Sequence, residues 1–220
     1  MNKKGLFLIL LVALVGVFVW VNYFASEDQG NGSGDEGVTI TDPQTFESSD
    51  YGFSFDRPYD WQFESSSEIT PMFSAYVKPA GVPVTPPFDH FANVTHVSVY
   101  PEGIPTEGLI GETEPIDFDP GFELTQESQM YVLEDGTPFA AYLVPENKPE
   151  SWGESGYIWM RVRVEDLTTE CFGGEELIPE EECDPMTEDH IIVREGEINE
   201  SLWSLEKEMV RTFSLGYLIN

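Results

Sequence analysis

The sequence predicts an α+β domain behind an N-terminal apolar segment, and three observations predict it. Short runs that alternate apolar and polar residues recur through positions 38–164 with Pro and Gly between them, as strands and their turns require. Glu134, Asp135 and Gly136 separate two such runs, and an Asp-Gly pair takes the positive φ values of a tight hairpin turn. Beyond Asn199, residues Leu202, Leu205, Met209, Val210 and Phe213 recur at three- and four-residue spacing, the period of one buried helix face.

The chain opens with Lys3 and Lys4, and the twenty residues from Gly5 to Phe24 carry no charge. That length spans a hydrocarbon layer of about 30 Å as a helix. The flanking charges, lysines before it and Glu27, Asp28, Asp35 and Glu36 after it, put the N-terminus in the cytoplasm and the remainder outside. Residues 1–25 therefore read as a single-pass anchor in the cell membrane, and a signal peptide cleaved near Ala25 and Ser26 is the competing reading. Residues 26–37 hold Gly, Ser, Asn, Gln and acids alone and form a flexible acidic spacer. Residues 38–220 then form one extracytoplasmic domain.

Composition fits that organisation. Aromatic residues make up 13% of the 220, enough large apolar surface for a core. Against 10 Lys and Arg stand 41 Asp and Glu, a formal net charge of −31. Phosphate binding needs clustered cations, so nucleic acid is excluded as a partner, and anionic lipid would be repelled. Cationic partners or divalent metal would suit such a surface, and the plainer reading, which the balance favours, is a solvated acidic surface that keeps the domain soluble.

Element by element, residues around Phe46 pair with residues 53–55 across the turn at Asp50 and Gly52, and Pro58 ends that strand by removing a ladder donor. Strands follow at 61–64 and 73–78, then a proline-rich loop at 79–87. Residues 93–100 alternate, with Val94, His96, Ser98 and Tyr100 on one face and Thr95, Val97 and Val99 on the other. Residues 102–121 read as a loop, and 129–133 pairs with 137–144 around Gly136. Residues 157–164 form one strand with Ile158, Met160, Val162 and Val164 inward and Trp159, Arg161 and Arg163 on the other face. Asn199 caps the helix, Glu200 sits in its first turn, and Lys207 and Arg211 lie towards its end.

Tyr51, Gly52, Phe53, Ser54 and Phe55, then Pro58 and Trp61, open the domain, and Val210, Arg211, Thr212 and Phe213 end its helix. In these two stretches the chain resembles the PsbP-like family, named after an extrinsic subunit of photosystem II. The resemblance implies an α-β-α sandwich: a central antiparallel sheet flanked by helices. It implies no catalytic residue, since most members look like binding or assembly factors, and no photosynthetic role follows. The acidic loops, the cysteine-containing insertion at 165–190 and the lack of a middle helix depart from the family pattern.

Chemistry could reside in two constellations. Cys171 and Cys183, the two cysteines, lie twelve positions apart, and outside the membrane such a pair forms a disulfide. A zinc site would need further ligands, of which His190 is one candidate. Between Glu165 and Val193 there is no Lys or Arg, and Glu180, Glu182 and Asp184 offer calcium the oxygen ligands it prefers, although the spacing lacks an EF-hand pattern. His90, His96 and His190 are the three histidines, and a metal-dependent enzyme would have to bring them together with a carboxylate. The favoured function is a non-catalytic binding or assembly module, possible calcium assistance included, with the metal enzyme as the alternative.

Overall fold

Strands β1 (Gln44–Ser48) and β2 (Phe53–Arg57) form the hairpin predicted around Gly52, whose φ of 63° is the left-handed value glycine tolerates best. This is a computed structural model, and it describes residues 38–66, 74–81, 93–103, 111–174, 176–179, 182–184, 187, 189–216 of the chain. The described residues all belong to one compact unit, Gly37–Asn220. The expected membrane anchor, the spacer, most of the proline-rich loop, His90 and Glu180 lie outside the described residues.

The centre is a seven-stranded, wholly antiparallel sheet in the order β3-β4-β5-β9-β8-β7-β6. Its members are β3 (Trp61–Ser66), β4 (Ser74–Pro79), β5 (His96–Tyr100), β6 (Thr113–Glu114), β7 (Gln129–Val132), β8 (Pro138–Leu143) and β9 (Tyr157–Arg161). The short β6 stands inside the region read as loop. Gly136, at φ 84°, turns the β7–β8 hairpin where the Asp-Gly pair placed it.

The long strand expected over 157–164 stops at Arg161. There Val162 donates to the Phe139 carbonyl at 2.8 Å, Arg163 donates to Thr95 Oγ1 at 3.0 Å, and the Asn93 side chain pairs with both backbone groups of Val164. A side chain has replaced the ladder, so the chain leaves the sheet. It continues as β10 (Val164–Gly173), which with β11 (Glu176–Ile178) and β12 (His190–Ile198) forms a separate three-stranded sheet in the order β11-β10-β12. The cysteine-bracketed insertion is thus built on a β arm.

The single helix among the described residues, α1 (Glu200–Arg211), is capped by Asn199, whose side chain accepts from the N–H groups of Ser201 and Leu202. Its buried residues are Trp203, Glu206, Met209 and Val210, while Leu202 and Leu205 are half-buried. The stripe read in the sequence therefore faces the core, with Met209, Val210 and Phe213 buried and Leu202 and Leu205 packed against them, and Trp203 and Glu206 widen the buried face. After it, β13 (Ser214–Leu215) returns to pair with β2.

Both faces of the central sheet are covered. On one, Val97, Val99, Ile158 and Met160 pack with Met209 and Val210 of α1 and with Phe53 and Phe55. On the other, Tyr100, Tyr131, Tyr157 and Trp159 form a second cluster with Val164 at the arm's root. Hence β5 and β9 are buried at every position, and the face bearing Trp159 and Arg161 is not solvated as alternation suggested. Taken whole, the described domain is mostly β-sheet with one helix, and the helices expected on both sides of the sheet reduce, among the described residues, to one.

Candidate functional site

The arm brings together the largest share of the residues singled out in the sequence. Cys171 of β10 lies across from Ile178 of β11 and Ile192 of β12, and it is bonded to Cys183. The sulfur atoms and a ring nitrogen of His190 lie within 4.8 Å of one another. In this oxidised form the trio is not a metal site, because each sulfur is bonded to the other and no thiolate is present to ligate. His190 Nδ1 accepts the Asp184 N–H at 2.9 Å, which puts the ring proton on Nε2 and makes the histidine a brace for the loop. Turns close the tip: Glu182 donates to the Pro179 carbonyl, His190 to Thr187, and Gly174 to Asp189.

Glu182 and Asp184 flank Cys183 and are exposed. Among the described residues no other group of three His, Cys, Asp or Glu side chains gathers its ligand atoms as closely as the cysteine-histidine trio. A cavity of about 720 Å³ opens beside the disulfide, lined by Leu167, Cys171, Ile178, Pro179, Cys183 and Ile192 among others.

Closer to the body, the arm meets the β7–β8 turn. Glu134 donates its backbone N–H to the Arg194 carbonyl at 2.9 Å, and its exposed carboxyl lies beside that of Glu195. The neighbouring Glu195 carboxyl, then slight desolvation and the negative charges of Glu112 and Glu170, push the Glu134 carboxyl up from its ordinary range. Four acids converge here with like charge. A smaller cavity of about 400 Å³ lies between the same turn and the start of α1, lined by Asp135, Pro138, Ile198, Glu200 and Trp203 among others.

A second polar group lies inside the body. His96, fully buried in β5, has Nδ1 3.1 Å from the Val94 carbonyl oxygen. Directly across on β9 is Arg161, only 2% exposed, its guanidinium 5.6 Å from the centre of the Phe139 ring. Burial, and then the charge of Arg194, lower the Arg161 pKa to about 10, which leaves it charged at neutral pH. From α1 comes Glu206, with no exposed surface. Burial pushes its carboxyl well above the ordinary range, and the backbone N–H groups of His96 and Arg161 offset part of that shift. Neither carboxyl oxygen has a partner at hydrogen-bonding geometry. None of these three residues lines either cavity described above.

His96 and His190 thus sit on different sheets, one sealed in the body and one on the arm. The sequence reading missed Glu206 and Arg161 as buried charges. A signal existed for Glu206, which stands three positions from Trp203 and from Met209 on one helix face. No family model, no curated protein and no solved structure matches this chain.

Proposed function

We propose that the chain is a membrane-anchored, extracytoplasmic module that binds or assembles a partner and performs no chemistry of its own. The observation that carries this reading is the separation of His96 from His190: a metal hydrolase needs histidines that converge with a carboxylate in an accessible cleft, whereas His96 is enclosed by the central sheet. The Cys171–Cys183 bond supports the location, since disulfides persist in oxidising compartments. The spacer at 26–37 would let the domain reach a partner above the membrane. Kinship with PsbP-like sandwiches belongs to the same proposal, supported by the way the two resembling stretches meet through Phe55 and Phe213. Calcium held by Glu180, Glu182 and Asp184 would assist such binding by neutralising the arm.

Calorimetric titration of the full chain with Ca²⁺, Mn²⁺ and Zn²⁺, followed by photo-cross-linking in the membranes of cells that express it, tests the reading. A cross-linked partner without tight zinc binding is expected. Tight zinc binding lost in His96→Ala would overturn it in favour of the metal-dependent enzyme.

A further inference from the structure

The register of the arm sets side chains in rows across its three strands. Phe172 lies opposite both Leu177 and Ile191, so the three share one face, and Cys171, Ile178 and Ile192 share the other. Each strand is therefore apolar on two consecutive positions where a half-solvated antiparallel arm would alternate with a polar residue. Yet the first row is open: Leu177 is 63% and Ile191 47% exposed, two of the three exposed large hydrophobics among the described residues. The arm joins the body's core clusters only at its root, through Val164, Leu167 and Ile198. Phe172 between them is half-buried, and Leu177 also borders the cavity beside the disulfide, but among the described residues no side chain of the body's core clusters covers Leu177 or Ile191.

The same face changes character towards the root. Glu170, paired with Val193, stands two residues from Phe172, about 7 Å along the strand. Glu195, paired with Thr168, follows on the same face, where Glu134 and Glu112 join it. An apolar tip thus runs into four carboxylates that already repel one another. A second copy of this chain is a poor occupant, because it would bring the same acids and a net charge of −31 against themselves. An anionic bilayer is repelled for the same reason.

We infer that this face of the arm docks an extended segment of a partner protein that carries two aliphatic side chains followed by lysine or arginine. The aliphatic side chains cover Leu177, Phe172 and Ile191, and the cations enter the group of Glu170, Glu195 and Glu134. Alternate residues of an extended segment face the same way, so both features are met by one strand-like peptide. The inference rests on the reading of the chain as a binding module and names the partner's chemistry.

The test uses the full chain in zwitterionic nanodiscs, with empty discs as the blank, and a labelled peptide of alternating sequence: leucine, serine, leucine, serine, lysine, serine, lysine. Fluorescence anisotropy should show binding that weakens at least about fivefold in the double variant Leu177→Ser with Ile191→Ser. A similar loss is expected in Glu170→Gln with Glu195→Gln, and with a peptide whose leucines are replaced by serine. Should the double serine variant lose its fold, Ile191→Ser alone gives the same reading. Equal binding by wild type and the serine variants would overturn the proposal, as would equal binding of the leucine-free peptide. Three other outcomes would overturn it by naming a different occupant: a wild-type dimer dissolved by the substitutions, adsorption to uncharged vesicles lost with them, or a photo-cross-linker at position 177 reacting with residues 104–110 of its own chain. Zinc binding through His96 would sink the module reading while leaving these curves unchanged, so the two failures are separable.

Discussion

The rings of Phe55 and Phe213 stack with centroids 4.5 Å apart and planes 7° from parallel, joining β2 to the residue just past α1. Thr212 Oγ1 beside them accepts the Asp56 N–H at 2.8 Å, and the Gly216 N–H donates to the Gly52 carbonyl at 2.9 Å. The first hairpin and the end of the described chain thus hold each other.

Removing the stacked ring tests that clamp. Phe55, 1% exposed, also faces Phe46 at 5.6 Å and Phe53 at 6.3 Å, so truncation leaves a void bounded by rigid rings. Phe55→Ala should lower unfolding free energy by about 3–5 kcal/mol in a urea titration followed by tryptophan fluorescence. A loss under about 1 kcal/mol would mean that the two ends are not coupled.

Which parts were legible in the sequence follows from what each signal reports. Gly52 and Gly136 announce turns because their backbone angles are local, and Asn199 announces a cap because its bonds reach three residues at most. The pairing of Cys171 with Cys183 was legible because the chain holds only those two cysteines. Period-two alternation in β5 and β9 places side chains on faces but is blind to a second layer, which is why Arg161 was read as outward-facing and is buried. The arm was hidden by its own composition: glutamates and threonines at exposed positions of β10 look like a solvated loop. Of the three acids read as candidate ligands for calcium, only Glu182 and Asp184 fall on described residues, and both are exposed, as the acids of a solvated charge run are.

Glycines separate strain from collision. Gly136 has a left-handed φ of 84°, but a Cβ there meets nothing within 4 Å, so Gly136→Ala should cost about 1–2 kcal/mol through backbone strain alone. A Cβ on Gly156 would meet the Pro101 carbonyl oxygen and lie 2.9 Å from the Trp152 ring. Gly156→Ala should therefore destabilise more than Gly136→Ala, by at least about 1 kcal/mol further, because backbone and a buried ring must both give way. Thermal melts of the two variants, measured side by side, would refute this if their order were reversed.

Glu206 makes stability depend on pH, with a definite sign. Its folded pKa is raised, so the folded protein holds the proton more tightly than the unfolded chain. The stability this contributes is fully present below the unfolded carboxylate pKa of about 4.3 and is lost as pH rises towards the folded value. Glu206→Gln has no such titration. The variant's advantage over wild type should therefore open above about pH 4.5 and grow by up to about 1.4 kcal/mol per pH unit while the folded carboxyl stays protonated. Denaturant titrations from pH 4 to 8 check it, and a difference that stays constant with pH would contradict the buried, proton-bearing carboxyl.

Reducing the disulfide should loosen the arm and leave the body intact. The bond closes a loop between positions 12 apart, for which chain entropy gives about 3 kcal/mol, but the arm's distal strands belong to neither core cluster. Opening there is a local event, set against the arm's own ladder rather than against the seven-stranded sheet. Hydrogen exchange read by mass spectrometry should speed up in residues 168–195 after reduction, while amides of β5 and β9 keep their protection. The global denaturation midpoint should barely move, because those central strands are buried on both faces. A midpoint that falls together with exchange in β5 and β9 would show that arm and body unfold as one unit, and the arm could not then act as an independent docking element.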